Sequence, residues 1–197
     1  MDKRKKSLLI ACSLGSGYIY KHVENKSYFL RIEGPELLKE YMEYKANLIR
    51  KATGKKCEVK AKNLNVTITY SLTCNHRYFR VLKKWLYPKG IVNYKYIKYL
   101  DSLGIAILYM DIGNTYEHKI DKGYIQMEFQ FYCSKKEAEF LIKYFKKTWD
   151  IEFRLHKKFD SLYNIRCYKP NSIKLAKLIE PYVPESMKYK IAFLSNI

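Results

Sequence analysis

The feature that most constrains this chain is a long-range repeat. Residues 7–17 read SLLIACSLGSG and residues 103–113 read LGIAILYMDIG, two apolar stretches with small residues that close on Gly17 and Gly113, 96 positions apart. After each come two strand-like runs, a charged helix, two more strand-like runs and another helix. Each series stops at a Tyr-Pro or Tyr-Val-Pro segment, and Pro88 and Pro184 are again 96 positions apart. Equal spacing at both ends of the series predicts a duplicated αββαββα module of the α+β class, with halves at 1–90 and 103–197 and a linker at 91–102.

The expected strands alternate, as strands do in a sheet with one covered and one uncovered face. In Leu64–Tyr70 one face is Leu, Val, Ile and Tyr, and the other carries Asn65, Thr67 and Thr69. In Ile125–Phe131 the face expected to be exposed carries Gln126, Glu128 and Gln130. Ile151–His156 repeats the pattern and Tyr18–Val23 does so loosely. Pro35–Arg50 and Ser134–Lys147 are amphipathic and suited to cover the apolar sheet faces, the first through Leu37, Leu38, Tyr41, Tyr44 and Leu48. Ser134 followed by Glu137 is a capping-box signature. Leu8–Leu14 and Leu103–Met110 are apolar on nearly every side and contain Ala11, Ser13, Gly104 and Ala106, which suits helices buried against each other. Without the repeat they would read as two ordinary core helices.

Charge narrows the function. The 197 residues include 38 Lys plus Arg against 19 Asp plus Glu, a net charge of +19, together with 20 Tyr and 9 Phe. Such an excess attracts polyanions through counterion release, so nucleic acid heads the partners. The plain alternative is a solubilising lysine surface. An acidic membrane is disfavoured because the basic residues are spread along the chain, and no apolar run approaches the roughly 20 residues of a span. The chain is expected to be soluble and unsecreted, in the cytoplasm, nucleoid or an organelle. The cysteines (Cys12, Cys57, Cys74, Cys133, Cys167) and histidines (His22, His76, His118, His156) form no CxxC or paired spacing, so reduced thiols are expected rather than a zinc site or disulfide framework.

Two segments bring a family into view. Leu14-Gly15-Ser16-Gly17-Tyr18-Ile19 and Tyr109-Met110-Asp111-Ile112-Gly113, each closing an apolar helix and each followed by ββαββα, resemble the two motifs of single-chain LAGLIDADG homing endonucleases. Trp85-Leu86-Tyr87-Pro88-Lys89-Gly90, Ile179–Pro184 and Met187-Lys188-Tyr189-Lys190 resemble the monomeric intron-encoded members. The resemblance implies two motif helices along a pseudo-twofold axis and two antiparallel sheets forming a saddle over the DNA major groove. The candidate DNA-reading residues are then Tyr18, Tyr20, His22, Arg31, Lys56, Lys60, Lys62, Asn65, Thr67, Thr69, Gln126, Glu128, Gln130, Arg154, His156 and Arg166. The partner it implies is double-stranded DNA, read by a monomer over a long asymmetric site.

In this family the residue before each motif-terminal glycine is an acid, and the two acids hold the divalent metal that activates water and stabilises the attacking and leaving oxygens. Here those positions are Ser16 and Ile112, so no catalytic pair is intact. Asp111 stands one helical step, about 100°, from the terminal position. Lys89 and Lys190 map onto the family's basic residues beside the active site. The resemblance therefore implies a sequence-specific DNA-binding protein that does not cleave and needs no cofactor, acting as a transcriptional regulator or DNA-occupying factor. Its alternatives are an endonuclease using Mg²⁺ on unorthodox ligands such as Asp111, and an intron-splicing maturase whose ligand is RNA.

Overall fold

The computed structural model describes residues 2–24, 26–64, 67–117 and 124–196. It contains two compact units, Met1–Ile107 with Pro184–Ser186, and Leu108–Val183 with Met187–Ile197.

In the first unit the order is α1 (Lys3–Leu14), β1 (Gly17–Lys21), β2 (Tyr28–Pro35), α2 (Lys39–Thr53), β3 (Cys57–Leu64), β4 (Thr67–Asn75) and α3 (Tyr78–Leu86), followed by 3-10 turns at Pro88–Gly90 and Tyr94–Tyr99. Its sheet is antiparallel in the order β1-β2-β4-β3. Asp2 caps α1 by accepting the Lys5 N–H at 2.9 Å, and every residue from Ser7 to Leu14 is buried. The first turns of α4 (Ser102–Ile112) belong to this unit and are tied to α1. Ser7 Oγ donates to Asp101 Oδ1 at 2.6 Å, and the same carboxylate accepts the Gly104 N–H at 2.9 Å.

The second unit continues with β5 (Gly113–Glu117), β6 (Ile125–Cys133), α5 (Lys135–Trp149), β7 (Arg154–Lys157), β8 (Tyr163–Tyr168) and α6 (Lys169–Ile179), then 3-10 segments Glu180–Tyr182 and Glu185–Asn196. Its strand order β5-β6-β8-β7 repeats that of the first unit. The capping box is present: Ser134 Oγ accepts the Glu137 N–H, and the Glu137 carboxylate accepts the Ser134 N–H at 3.0 Å. Both motif-terminal glycines answer a steric demand. A Cβ on Gly17 would lie 2.3 Å from the Cys12 carbonyl oxygen, and one on Gly113 would lie 2.3 Å from the Tyr109 ring.

Several expectations need correcting. The strand expected over Leu64–Tyr70 is two strands, because Leu64 ends β3 and pairs with Thr67, which begins β4. Ile151–His156 is a strand only from Arg154: Asp150 ends α5 in a left-handed conformation, φ 50°, and the Glu152 N–H goes to Asn171 Oδ1 at 2.9 Å instead of a ladder. The buried face of α2 is Tyr41, Met42, Lys45, Ala46 and Ile49, while Leu37 is 88% exposed. The cause is a 3-10 turn over Glu36–Leu38, whose tighter winding resets the helical phase before α2 starts. The five cysteines are buried thiols. Among the described residues no helix is long and apolar enough to cross a membrane.

Candidate nucleic-acid interface and motif ends

Strand alternation puts one polar face on each sheet. In the first unit, cross-strand register aligns Tyr18 with Arg31, Tyr20 with Phe29, Arg31 with Thr73, Lys60 with Ser71 and Lys62 with Thr69. Phe29, Arg31, Lys56, Glu58, Lys60, Lys62, Ser71, Thr73 and Asn75 line a shallow open depression on this face. Arg31 pairs with Glu33 at 2.9 Å and donates from Nε to Ser71 Oγ at 3.2 Å, and Lys62 reaches the same Glu33 at 3.2 Å. Lys60 at 2.9 Å and Lys56 hold Glu58, whose carboxyl their hydrogen bonds pull down to about 2. The Tyr20 ring stacks on Phe29 at 5.5 Å, and His22 lies 5.9 Å from Phe29 with its Nδ1 buried. Of the sequence candidates here, Asn65 lies outside the described residues, and Thr67 and Thr69 sit along the first part of β4. The structure adds Phe29, Glu33, Glu58, Ser71, Thr73 and Asn75. The alternation of β2, β3 and β4, followed to the strand ends, would have found them.

In the second unit the corresponding face carries a fixed network. Glu128 is fully buried, not exposed as expected, and Gln126 is 3% exposed, because β6 lies between β5 and β8 and their long side chains close over it. The Glu128 carboxylate accepts from Asn164 Nδ2 at 2.7 Å and Arg166 Nε at 2.7 Å, contacts His156 Nδ1 at 2.9 Å and faces Lys158 Nζ at 3.3 Å. Burial alone would raise its pKa; the hydrogen bonds of Asn164 and Arg166, with the Arg166 charge, outweigh it and leave the carboxyl below its ordinary value. Arg166 also donates to Gln126 Oε1 at 2.9 Å and lies 5.0 Å over the Tyr116 ring. Arg154 lies 5.2 Å over Tyr168, and Gln130 is on β6, beside an irregular register between Phe129 and Cys133. Asn164, Lys158, Tyr116 and Tyr168 were not singled out from the sequence. Asn164 and Tyr168 alternate with Arg166 along β8, and that period was the available signal.

At the first motif end, Ser16 is exposed just beyond the α1 cap. Lys45, only 1% exposed, donates from Nζ to Ser16 Oγ at 2.9 Å and stands 4.5 Å from the Tyr41 ring centre. Tyr41 in turn donates its hydroxyl to the Ile107 carbonyl at 3.3 Å. At the second motif end, Ile112 offers only hydrocarbon. Lys190 donates to the Gly113 carbonyl at 2.6 Å, and burial depresses its amine to about 8 against the pull of Asp111 in the other direction. Lys89 is exposed on its 3-10 turn with φ 55°.

A Mg²⁺-class ion takes hard oxygen ligands, with carboxylates to offset its charge. Ser16 offers a neutral hydroxyl that already accepts from an ammonium, and Ile112 offers no donor. Among the described residues no group of three or more His, Cys, Asp or Glu could hold a metal ion. At the two positions where the family carries acids, Ser16 and Ile112 therefore offer no carboxylate to such an ion.

Comparison with known proteins points one way. A model of the LAGLIDADG DNA endonuclease family matches residues 7–175. Among solved structures, the homing endonuclease I-WcaI bound to its DNA recognition sequence is 20% identical with a TM-score of 0.79, covering 96% of this chain and 86% of that one. I-DmoI in complex with DNA and Ca is 14% identical with a TM-score of 0.58, covering 98% and 97%. Full-length DUF199/WhiA from Thermatoga maritima is 10% identical with a TM-score of 0.54, covering 98% of this chain and 60% of that one. No curated protein matches the chain.

Proposed function

Since the chain belongs to the LAGLIDADG DNA endonuclease family, we propose that it binds one long, asymmetric duplex DNA site as a monomer, through the polar faces of its two sheets, and leaves the strands uncut. The observation that carries this is the contrast between a +19 chain with basic, aromatic-lined sheet faces and motif ends occupied by Ser16 beside Lys45 and by Ile112. The first set of residues suits phosphates and base edges, and the second lacks the carboxylates that hold a catalytic metal. Its role is then that of a regulator or a DNA-occupying factor.

The test is selection of bound duplexes from a random library, followed by incubation of the selected site with Mg²⁺ or Mn²⁺. A selected sequence bound tightly and recovered intact is the expected result. If about 8–10 phosphates are neutralised, log K should fall against log salt with a slope of about −7 to −9. Specific cutting abolished by Asp111→Asn would overturn the non-cleaving assignment. Preference for a structured RNA over every duplex would overturn DNA as the ligand.

A further inference from the structure

A neutral histidine offers a ligand either a donor or an acceptor, and the bond made by its other ring nitrogen decides which. His156 stands on β7, cross-strand from Asn164, with its side chain 32% exposed. Its Nδ1 lies 2.9 Å from Glu128 Oε2. Burial opposes the charge of that carboxyl, but the hydrogen bonds of Asn164 and Arg166 outweigh burial and keep it ionised at neutral pH. An ionised carboxylate only accepts, so the hydrogen at this contact belongs to the histidine and sits on Nδ1. In the neutral ring Nε2 then carries a lone pair. No described residue bonds Nε2, and among the described residues the buried side-chain nitrogen left without a partner is His22 Nδ1. His156 Nε2 is therefore open to solvent, on the part of the ring turned away from Glu128.

We propose that neutral His156 selects, through Nε2, a base that carries an exocyclic amino group in the major groove: adenine or cytosine. The proposal rests on the reading of the sheet faces as a duplex-binding surface and deepens it by naming the base edge that one residue takes. Adenine N6 and cytosine N4 present hydrogens in that groove, whereas guanine and thymine present acceptors and the thymine methyl. A lone pair on Nε2 gains a hydrogen bond from the first two and meets another lone pair on the others. The side chains around Glu128 leave this task to His156. Arg166 and Lys158 carry donors alone. Asn164 is fully buried, and its amide is engaged at both ends, by Glu128 at 2.7 Å and by the Tyr132 N–H at 3.0 Å. Turning the imidazole over would break its bond to Glu128 and leave a buried carboxylate one donor short, so the acceptor stays outward.

The experiment is selection from the random duplex library at about pH 8, where a free imidazole is neutral, with natural protein, His156→Phe and His156→Lys. Phenylalanine keeps a ring and removes both nitrogens; lysine keeps a donor for Glu128 and removes the acceptor. Natural protein should select a site with a position restricted to adenine or cytosine, and both variants should lose that restriction. At that position, replacing adenine by purine or cytosine by 2-pyrimidinone deletes the amino group. The deletion should cost natural protein about tenfold in affinity and leave His156→Phe unchanged. A role confined to holding Glu128 would weaken every duplex without this coupling. Guanine or thymine at the position that the variants relax overturns the proposal, as does an adenine-or-cytosine restriction at every such position that survives in either folded variant, or an amino deletion that costs natural protein and His156→Phe equally. If His156→Phe fails to fold, His156→Lys supplies the same comparison. Failure of the parent reading looks different: if no duplex is selected both fall, whereas cutting of a selected duplex overturns only the non-cleaving assignment and leaves the choice of amino-bearing base standing.

Discussion

Replacing Glu128 by Gln preserves the volume of the side chain and removes the negative charge on which Asn164, Arg166, His156 and Lys158 converge. The carboxylate is fully buried and the Arg166 side chain is 18% exposed, so solvent cannot take over the lost interaction. Breaking a buried pair by removing one partner costs about 3–5 kcal/mol, because the other charge stays buried without compensation. With an m-value of about 2 kcal/mol/M, the urea midpoint should fall by about 1.5–2.5 M. The transition can be followed by Trp149 fluorescence in a Trp85→Phe background, since Trp149 lies in the same unit as Glu128. The pH dependence carries a definite sign. Glu128 titrates below its ordinary 4.5 in the folded protein, so its contribution is complete above 4.5 and is lost as pH falls through the lower folded value. The gap between natural protein and variant should therefore close in acid. A gap under about 1 kcal/mol at neutral pH, or one that stays constant into acid, would refute the account of this network.

Lys190 titrates at about 8 in the folded protein against an ordinary 10.5, so between those values the unfolded chain binds a proton that the folded chain does not. Stability should rise with pH across that interval, and Lys190→Met should abolish the rise in a thermal-melt series. On selected and random duplexes compared side by side, Lys60→Ala should weaken both alike. Arg154→Ala should lower the preference for the selected site by about 1–3 kcal/mol.

The architecture was legible because it is written twice. The 96-residue repeat, the glycines that close the motif helices and the Ser134–Glu137 cap are each fixed by local chemistry, and each stands where the sequence placed it. Lys45 was invisible for a physical reason. Lys45 stands four residues after Tyr41 and three before Leu48, on the face expected to be covered, but a face assembled from apolar residues passes over a lysine. The burial of Glu128 was equally hidden, since alternation identifies the face a residue occupies but not how tall its neighbours stand. On an edge strand Glu128 would be exposed; between β5 and β8 it is enclosed by Asn164, Arg166 and His156.

The two sheet faces therefore differ in energetic character although their topology is the same. In the first unit the pairs of Glu33 and Glu58 with Arg31, Lys62, Lys56 and Lys60 join mostly exposed side chains, and pairs of that kind contribute little because solvent and salt screen them. They are readily exchanged, so these cations can leave a carboxylate for a phosphate at small cost. In the second unit Arg166 is held at Nε and at both terminal nitrogens by Glu128 and Gln126, with an aromatic ring beneath it. It can turn toward a ligand only by breaking bonds to a buried charge. A guanidinium fixed in this way meets a base edge with its orientation already set, and a mismatched base gains nothing from rearranging it. The first face is thus suited to following a backbone of any sequence, and the second to discriminating between sequences.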